Sequence, residues 1–446
     1  MPAPLFTAAP VPPSPVRRGL SARRRRVAPA LRPFAPAALL AALMVMVLTG
    51  RLHDALLAGK LPVAKLFLAA GALFFFSSNG MAALQAALRT VPGRGFLALT
   101  VAVFASVPFS VLKSHSAQVA TAWLYSTVPI VIVVATGLRA VGDLERVLRA
   151  LVLMVLALTA LILAGFGKVM IGPDGARFFL AGSYDPNDLA AVVAASSAAC
   201  LWTLHGRPVL WRVLGALGLA ACGFIIVKTG SRGGGLALGL LLVGSALFVP
   251  SFLSRTARLG VLAAMLFGLA YAPSSFLERM ATLSDVGSDY NMTSRSGRIE
   301  VWKRGLSFIV RSPVVGVGAG AYPIADGRWA EENGTTAGFK WSAAHNLLIE
   351  TAAETGIPGL LALLCCILPV IITWRRIRKL PATSDTDLRL QRVIEALALL
   401  TLTYLVAASF VNGLYNPLVT MITAFNIAAH VLLKQSGLGQ IARLKP

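Results

Sequence analysis

Long apolar runs separated by short polar stretches dominate the pattern of this chain. A run of about 20 apolar residues is long enough for a helix to cross a hydrocarbon layer of about 30 Å. The pattern predicts an all-α, multi-pass membrane protein. The twelve predicted transmembrane helices cover roughly 36–50, 61–78, 95–112, 117–138, 147–166, 187–205, 209–228, 232–250, 257–272, 355–374, 391–412 and 416–433.

Composition excludes a soluble enzyme. The 446 residues are 57% hydrophobic and 13% charged, with a mean hydropathy of +0.75, whereas soluble domains contain about a quarter charged residues. The four cysteines lie inside apolar runs and show no metal-ligand or disulfide spacing. We interpret Cys200, Cys222, Cys365 and Cys366 as small buried apolar side chains.

The N-terminal stretch 1–35 is rich in Pro, Ala and Arg and has no apolar core. A cleavable signal peptide is not expected, because the first apolar segment after it is only one of many. We expect a disordered cytoplasmic tail that orients the first helix. Nucleic-acid binding is not expected of it in a chain of this type.

Basic residues set the predicted orientation, because cytoplasmic loops carry an excess of Lys and Arg. The connections assigned to the cytoplasm include Arg23 to Arg26, Arg146, Arg258 and the WRRIRKL stretch at 374–380, and the outer loops are poor in Lys and Arg. Both termini are therefore predicted to be cytoplasmic. The predicted segments are the tail, helices 1–9 (36–272), an outer loop (273–354), helices 10–12 (355–433) and a C-terminal tail (434–446).

The predicted outer loop is neutral overall. Residues 273–350 hold eight Lys/Arg and eight Asp/Glu. Its arginines therefore do not belong to a generally basic segment, and each is a candidate for a specific role. A second outer segment, 168–190, joins the fifth and sixth helices. There Asp185 is predicted to cap a helix whose first residue is Pro186.

Polar side chains cluster at four places on the predicted outer face. An ionisable group at membrane depth is costly and usually marks a function, although a single arginine also fits a role as an interfacial anchor. The clusters are Arg177 with Asp185 and Asn187; Lys228, Ser231 and Arg232; Arg295, Arg298 and Trp302; and His345, Asn346 and Glu350.

Arg232 stands at the predicted start of a helix and is followed by three glycines. Free backbone N–H groups, a helix N-terminus and a forked guanidinium together favour phosphate. On this interpretation the glycines leave the helix end open to a ligand. The alternative is that they allow close packing between helices.

An amphipathic helix is predicted from Ser294 to Arg311. Its apolar stripe would be Ile299, Trp302, Leu306 and Ile309, with Arg298 on the face of Trp302. The GVGAGAYP stretch that follows lacks the strand and helix of a dinucleotide-binding loop. It is predicted to be a turn-rich loop that brings Tyr322 near the membrane.

His345 is predicted to lie near the start of a helix that begins at about Ser342 and breaks near Gly356 and Pro358. It would share a face with Ile349 and Ala352. Imidazole is the usual general base near neutral pH, and the alternative is a hydrogen-bonded interior histidine.

Four stretches, in this order along the chain, resemble the signature regions of the O-antigen ligase superfamily. They are GARFFLAGSYDPNDLA, TGSRGGGLALGL, SGRIEVWKRGLSFIVRSPVVGVGAGAYP and HNLLIETAAETGIPGLL, within about 170–365. The superfamily includes lipopolysaccharide O-antigen ligases, polysaccharide polymerases and protein O-oligosaccharyltransferases. The arginine-rich N-terminal tail departs from the family pattern.

The resemblance implies a fold like other multi-pass, lipid-donor glycosyltransferases and a site on the periplasmic face of the bacterial inner membrane. It implies an undecaprenyl-diphosphate-linked glycan donor, a lipid A-core acceptor and no metal or other cofactor. The family's functional positions match Arg177, Arg232, Arg298 and His345, with Arg295 an alternative to Arg298. We expect His345, Arg232 and Arg298 to be catalytic. The expected substrate-binding residues are Arg177, Arg295, Asn187, Asn346, Tyr322, Lys228, Trp302 and Glu350.

Two alternatives remain from the sequence. The same donor chemistry could serve a polymerase or a protein O-oligosaccharyltransferase. A secondary transporter of twelve helices would need two matching halves joined by a longer cytoplasmic segment. Here the connection between the sixth and seventh helices, HGRPVLWR, is short, which disfavours transport.

Overall fold

The computed structural model describes residues 33–57, 61–172, 175–180, 184–248, 254–281, 294, 297–334 and 341–439. Within them the chain is helical apart from one short hairpin. The first half contains α1 (Ala35–Met44, extended by a π-helical turn at Val45–Thr49), α2 (Leu52–Leu57), α3 (Val63–Ser77), α4 (Gly80–Leu88), α5 (Val91–Ser106), α6 (Lys113–Ala122), α7 (Val128–Gly137) and α8 (Val141–Leu163).

A two-stranded antiparallel hairpin follows α8. Its strands are β1 (Lys168–Gly172) and β2 (Gly175–Phe179), with Met170 opposite Arg177. The second half contains α9 (Pro186–Thr203), α10 (Val209–Thr229), α11 (Arg232–Phe248), α12 (Arg255–Ala270), α13 (Ser274–Ala281), α14 (Arg298–Arg311), α15 (Tyr322–Glu332), α16 (Leu347–Ile367), α17 (Pro369–Ile377), α18 (Asp385–Ala408) and α19 (Pro417–Gln435).

The protein is an all-α, multi-pass membrane protein. In the described part of the chain, seven helices or continuous helix pairs are long and apolar enough to cross a membrane. The number rises to eight if α3 and α4, bent by 96° at Asn79, form one span. Three further apolar helices, at Ala35–Thr49, Arg232–Leu247 and Thr256–Gly268, are shorter.

The predicted elements match the structure only in part. The predicted span 61–78 agrees with α3 (Val63–Ser77). The chain then turns sharply, because Asn79 has a left-handed backbone (φ 56°), and the sequence analysis missed α4 beyond the turn. The predicted amphipathic helix begins at Arg298 rather than Ser294. Residues 1–32 of the predicted tail lie outside the described residues.

Helix α9 is the centre of the helical packing. It contacts α8, α10, α11 and α18, and nearly all of its residues from Leu189 to Thr203 are buried. Small side chains in its AAVVAASSAA stretch let the neighbours approach closely. Asp185 caps its start by accepting hydrogen bonds from the N–H groups of Asn187 and Asp188, as predicted. One end of α9 therefore lies beside Arg177 and the other leads to Arg207.

Helix α16 supports the segment that carries His345. It packs along α5 and is kinked at Gly356, where φ is 72° and ψ is 178°, which confirms the predicted break. The Gly356 kink accommodates a close approach by the backbone of Pro313 and Val314. Below the kink, Glu354 accepts hydrogen bonds from the N–H groups of Gly320 and Tyr322. The GVGAGAYP loop is thus fixed to α16.

Candidate functional site

Arg177 on β2 links the hairpin to two helix ends. Its Nε donates to the carbonyl oxygen of Thr229 at 3.1 Å, the last residue of α10. One Nη donates to Oδ1 of Asn187 at 2.8 Å, in the first turn of α9. The predicted pair Arg177 and Asn187 is therefore in direct contact, beside the turn that leads to Arg232.

The α10–α11 turn places Arg232 at the first position of α11. Gly230 adopts a left-handed backbone (φ 59°) that ends α10. Ser231 then caps α11, its Oγ accepting from the N–H of Gly234 at 3.3 Å. Arg232 itself is half-buried. A guanidinium at a helix N-terminus is a favourable arrangement for an anionic group.

The glycines after Arg232 serve close packing, which was the alternative interpretation. A Cβ on Gly233 would lie 2.8 Å from the Phe410 ring, and one on Gly234 would lie 2.6 Å from Cβ of Ala190 in α9. These contacts favour the packing interpretation for Gly233 and Gly234; access of a ligand to the helix end stays a prediction. Their effect is to bring the start of α11 close to both α9 and Phe410.

Arg279 is a further cation at this turn that the sequence analysis missed. It lies in the last turn of α13, and its Nε donates to the carbonyl oxygen of Gly230 at 3.1 Å. Phe276 and Met280 of the same short helix border Gly235. Only a strong amphipathic pattern over 274–281 could have indicated this helix, and nothing in it indicated the contact with the turn.

Arg298 lies at the start of α14 and contacts Phe410 in two ways. One Nη donates to the Phe410 carbonyl oxygen at 3.3 Å, and the guanidinium carbon stands 5.5 Å from the centre of the ring. The same ring lies against Gly233. Phe410 thus links the starts of α14 and α11, which carry Arg298 and Arg232.

His345 does not lie on a helix. Helix α16 begins at Leu347 and is capped by Asn346, whose Oδ1 accepts from the N–H groups of Leu348 and Ile349. The predicted helix start at Ser342, and the shared face of His345 with Ile349, were wrong. His345 instead has a left-handed backbone with φ 47°, which is uncommon for a residue other than glycine and costs free energy.

Contacts on both sides hold the backbone of His345 in that conformation. Its N–H donates to Oδ1 of Asn412 at 3.0 Å. The preceding carbonyl oxygen, of Ala344, accepts from Nε1 of Trp302 in α14 at 2.9 Å. His345 is half-buried. Its position is therefore set by α14 on one side and by the chain after α18 on the other.

Residues 409–413, SFVNG, directly follow α18 in the connection to α19, and we call them the 409–413 loop. Besides Phe410 and Asn412, Gly413 donates its N–H to Oε2 of Glu350 at 3.0 Å. The Ser409 carbonyl oxygen lies 3.5 Å from Nδ2 of Asn346. Arg298, His345 and the start of α11 all meet this loop. The sequence analysis missed it, and a polar Asn-Gly pair between two apolar helices was the only signal.

A buried ion pair supports the same region from behind. Arg304 of α14 donates to Asp326 of α15, which is fully buried, and Asp326 also accepts from the N–H of Ser342 at 3.0 Å. The predicted apolar stripe of α14 was misplaced, since Leu306 is 54% exposed whereas Val301, Gly305 and Phe308 are buried. Helix α14 therefore turns Trp302 toward Ala344.

Residues 215–364 match the family model described as O-Antigen ligase. The chain carries an O-antigen ligase family domain. The matched domain is that of an enzyme family, the O-antigen ligases. No curated protein matches the chain.

The O-antigen ligase domain contains Arg232, Arg298 and His345, together with Lys228, Trp302 and Glu350. Three parts of the candidate site lie outside the matched range: Arg177, Asn187 and the 409–413 loop. Arg177 contacts Asn187 and the end of α10. The loop contacts Arg298 and His345. The candidate site is therefore assembled from elements both within and outside the matched domain.

Three predicted substrate-binding residues of the enzyme have structural contacts instead. Tyr322 is fully buried, burial raises the pKa of its phenol, and its hydroxyl donates to the Val301 carbonyl oxygen at 2.6 Å. Glu350 is buried and holds Gly413. The Asn346 Oδ1 caps α16. The buried side chains of Tyr322 and Glu350 are not presented to a sugar in this arrangement.

Two other predicted residues stand apart. The exposed Lys228 places its Nζ 5.8 Å from the centre of the Phe224 ring. Arg295 lies outside the described residues. Arg298 contacts the 409–413 loop through Phe410.

Proposed function

We propose that this enzyme transfers a polysaccharide from undecaprenyl diphosphate to a sugar of the lipid A-core, at the periplasmic face of the bacterial inner membrane. One observation carries the proposal. Arg298, the start of α11 beside Arg232, and His345 all meet the 409–413 loop. Cations for a diphosphate and a base for a hydroxyl group are thereby supplied by one region.

The arginines provide the charge that a diphosphate leaving group needs. Arg232 lies at a helix N-terminus, and Arg177 lies beside the preceding turn. Forked guanidinium groups match phosphate oxygens. As the sugar–phosphate bond breaks, negative charge grows on the diphosphate, and preorganised cations stabilise that charge. Loss of one comparable donor typically slows a reaction by about 10²–10³-fold.

His345 acts as the general base in this scheme. The acceptor hydroxyl oxygen forms a bond to the anomeric carbon while the bond from that carbon to the phosphate oxygen breaks. The hydroxyl proton passes to the imidazole, and undecaprenyl diphosphate leaves as an anion. Attack from the opposite face inverts the anomeric centre, and no metal takes part. The strained backbone of His345 supports a functional role, because such strain clusters at active sites.

We further propose the twelve-span topology, with both termini in the cytoplasm and a fold like other lipid-donor glycosyltransferases. The short apolar helices at Ala35–Thr49, Arg232–Leu247 and Thr256–Gly268, together with buried α9, bring the eight spans obtained when α3 and α4 count as one to twelve. Arg146 and the arginines of 375–378 lie at helix ends away from Arg177 and His345. The bias in basic residues supports this orientation.

The acceptor separates this proposal from its nearest alternative. A polymerase or a protein O-oligosaccharyltransferase would use the same donor and the same arginines. Transport is a weaker alternative, since it gives no role to a strained histidine beside helix-terminal arginines.

The deciding experiment uses purified full-length enzyme and a lipid-linked O-antigen donor, with no divalent metal added and EDTA present. Separate reactions contain lipid A-core, a second lipid-linked repeat unit, or an acceptor peptide. Transfer to lipid A-core alone is expected. Chain extension of the lipid-linked unit, or glycosylation of the peptide, without transfer to lipid A-core would contradict the proposed acceptor.

A further inference from the structure

A second group of arginines lies at the opposite helix ends from the candidate site. Helices α10 and α18 end beside Arg177 and Phe410, and α9 begins there. At their other ends stand Arg207, between α9 and α10, and Arg389 and Arg392, in the second turn of α18. Arg149 lies in α8, which packs against α9 and α10. We call Arg149, Arg207, Arg389 and Arg392 the four-arginine cluster.

One buried carboxylate pairs with two members of the cluster. Oε1 of Glu145 accepts from Arg207 at 3.0 Å, and Oε2 accepts from Arg389 at 2.7 Å. Glu145 is 3% exposed. Asp385, at the start of α18, also acts on Arg389. Arg207 and Arg389 therefore each have an acidic partner.

The other two arginines have no ion pair within the described part of the chain. The Arg149 guanidinium lies 5.0 Å from the centre of the Trp211 ring. The Arg392 guanidinium lies beside Gly206, where a Cβ would be 3.0 Å from its Nη1. Burial lowers the pKa of Arg207, and the positive charges of Arg149 and Arg392 lower it further. The cluster therefore carries an excess of positive charge.

Buried guanidinium atoms in the cluster also lack acceptors. Among the described residues, the buried Nε atoms of Arg149 and Arg207 have no hydrogen-bond partner. The Arg207 side chain is only 10% exposed. Buried donors are normally satisfied, and a bound ion or water is among the explanations for an exception. An anionic oxygen would supply an acceptor here.

The neighbouring surface indicates that the anion belongs to a lipid. On α10, Leu210, Val213 and Leu217 are 64%, 51% and 55% exposed, and their spacing places them along one side of the helix. Trp211, which lies beside Arg149, is in the first turn of the same helix. An apolar helix face that extends from a cationic group matches acyl chains below a charged headgroup.

We propose that the four-arginine cluster binds the phosphate headgroup of an anionic phospholipid, whose acyl chains lie along α10. Arg149 and Arg392 supply the unpaired charge. Glu145 holds Arg207 and Arg389 in place and limits the repulsion within the group. This site is separate from the site of glycan transfer and lies at the opposite membrane face.

Native mass spectrometry of the full-length protein, in a neutral detergent, tests the site. The probes are phosphatidylglycerol, phosphatidylcholine and inorganic phosphate, each titrated separately. The test variant is Arg149→Gln/Arg392→Gln, which leaves both ion pairs of Glu145 intact. The control is Arg375→Gln/Arg376→Gln, which removes two exposed arginines from the end of α17 and makes the same change in charge.

Wild-type protein and the control variant should bind phosphatidylglycerol in preference to phosphatidylcholine. An arginine near an anionic membrane surface contributes about fivefold to binding, so the test variant should bind phosphatidylglycerol about 30-fold more weakly. If that variant does not fold, Arg392→Gln alone should show about a fivefold loss. Equal loss in the control variant, or no preference over phosphatidylcholine, would overturn the site. Saturation by inorganic phosphate as tight as by the lipid would overturn the lipid assignment.

Discussion

His345 has a left-handed backbone conformation that is stabilised by contacts with its neighbours. A residue other than glycine in this region costs of order 1 kcal/mol or more, and Trp302 and Asn412 supply the compensating hydrogen bonds. The general base of the proposed reaction therefore depends on side chains that do not touch the substrate.

Replacing Trp302 by Phe tests this dependence. The aromatic packing stays, but the hydrogen bond to the Ala344 carbonyl oxygen is lost, a change worth about 1 kcal/mol. We expect kcat for glycan transfer to fall about fivefold, with little change in KM for the lipid-linked donor. Trp341→Phe, at a 52% exposed indole of the same segment, serves as the control. An unchanged kcat in Trp302→Phe would show that this bond does not position His345.

At single positions, the sequence predicted residue types better than their contacts. His345, Arg232 and Arg298 were predicted as site residues because charged or polar side chains stand out beside apolar spans. Tyr322 and Glu350 stand out equally, yet they hold Val301 and Gly413. Whether a polar group faces a substrate or a backbone depends on tertiary contacts between residues distant in sequence, and periodicity carries no record of them.

At the scale of helices, the approach of α11 to α9 decides where Arg232 lies. Gly234 meets Ala190 across this contact. Close approach of backbones at small residues is how membrane helices commonly pack. The glycine run after Arg232 is therefore a packing feature that positions a charge.

The substitution Gly234→Ala should disturb this contact, because its Cβ would lie 2.6 Å from Cβ of Ala190. Overpacking of this kind costs about 1–3 kcal/mol. We expect a lower thermal unfolding midpoint in detergent and reduced glycan transfer. Gly239→Ala, in the same helix and with open space at the Cβ position, should leave both unchanged. Equal behaviour of the two variants would show that the α9–α11 contact is not tightly packed.

The presence of a helix was easier to predict than the residues at which it begins and ends. Apolar runs located α5, α8, α10, α18 and α19, because length and hydropathy alone define a span. The bend at Asn79, the late start of α16 and the short helix α13 depend on single backbone angles and on packing partners. Hydrophobic patterns do not encode those features.

At the scale of the whole molecule, two groups of cations occupy opposite ends of the same helices. Arg177 and Arg298 stand at the end that carries His345, and the four-arginine cluster stands at the other. The bias in basic residues assigns the cluster to the cytoplasm. The orientation proposed above therefore places the proposed transfer site at the periplasmic face.

Single cysteines test this orientation in a Cys365→Ala background, which removes the one exposed native thiol among the described cysteines. Lys228→Cys and Arg375→Cys each place a thiol at an exposed position. In cells with an intact inner membrane, a membrane-impermeant maleimide should label the first and not the second. Lysis should make both reactive. Labelling of Arg375→Cys alone before lysis would invert the orientation.

The central claim is that His345 is the base in a site where arginines hold the diphosphate. The most direct measurement compares His345→Ala with wild-type enzyme for two quantities, transfer to lipid A-core and binding of undecaprenyl diphosphate. General-base catalysis contributes about 10²–10⁴-fold, so transfer should fall by at least about 100-fold. Binding should stay within about threefold, since the arginines remain and a threefold change is under 1 kcal/mol. Transfer at the wild-type rate by His345→Ala would contradict the account.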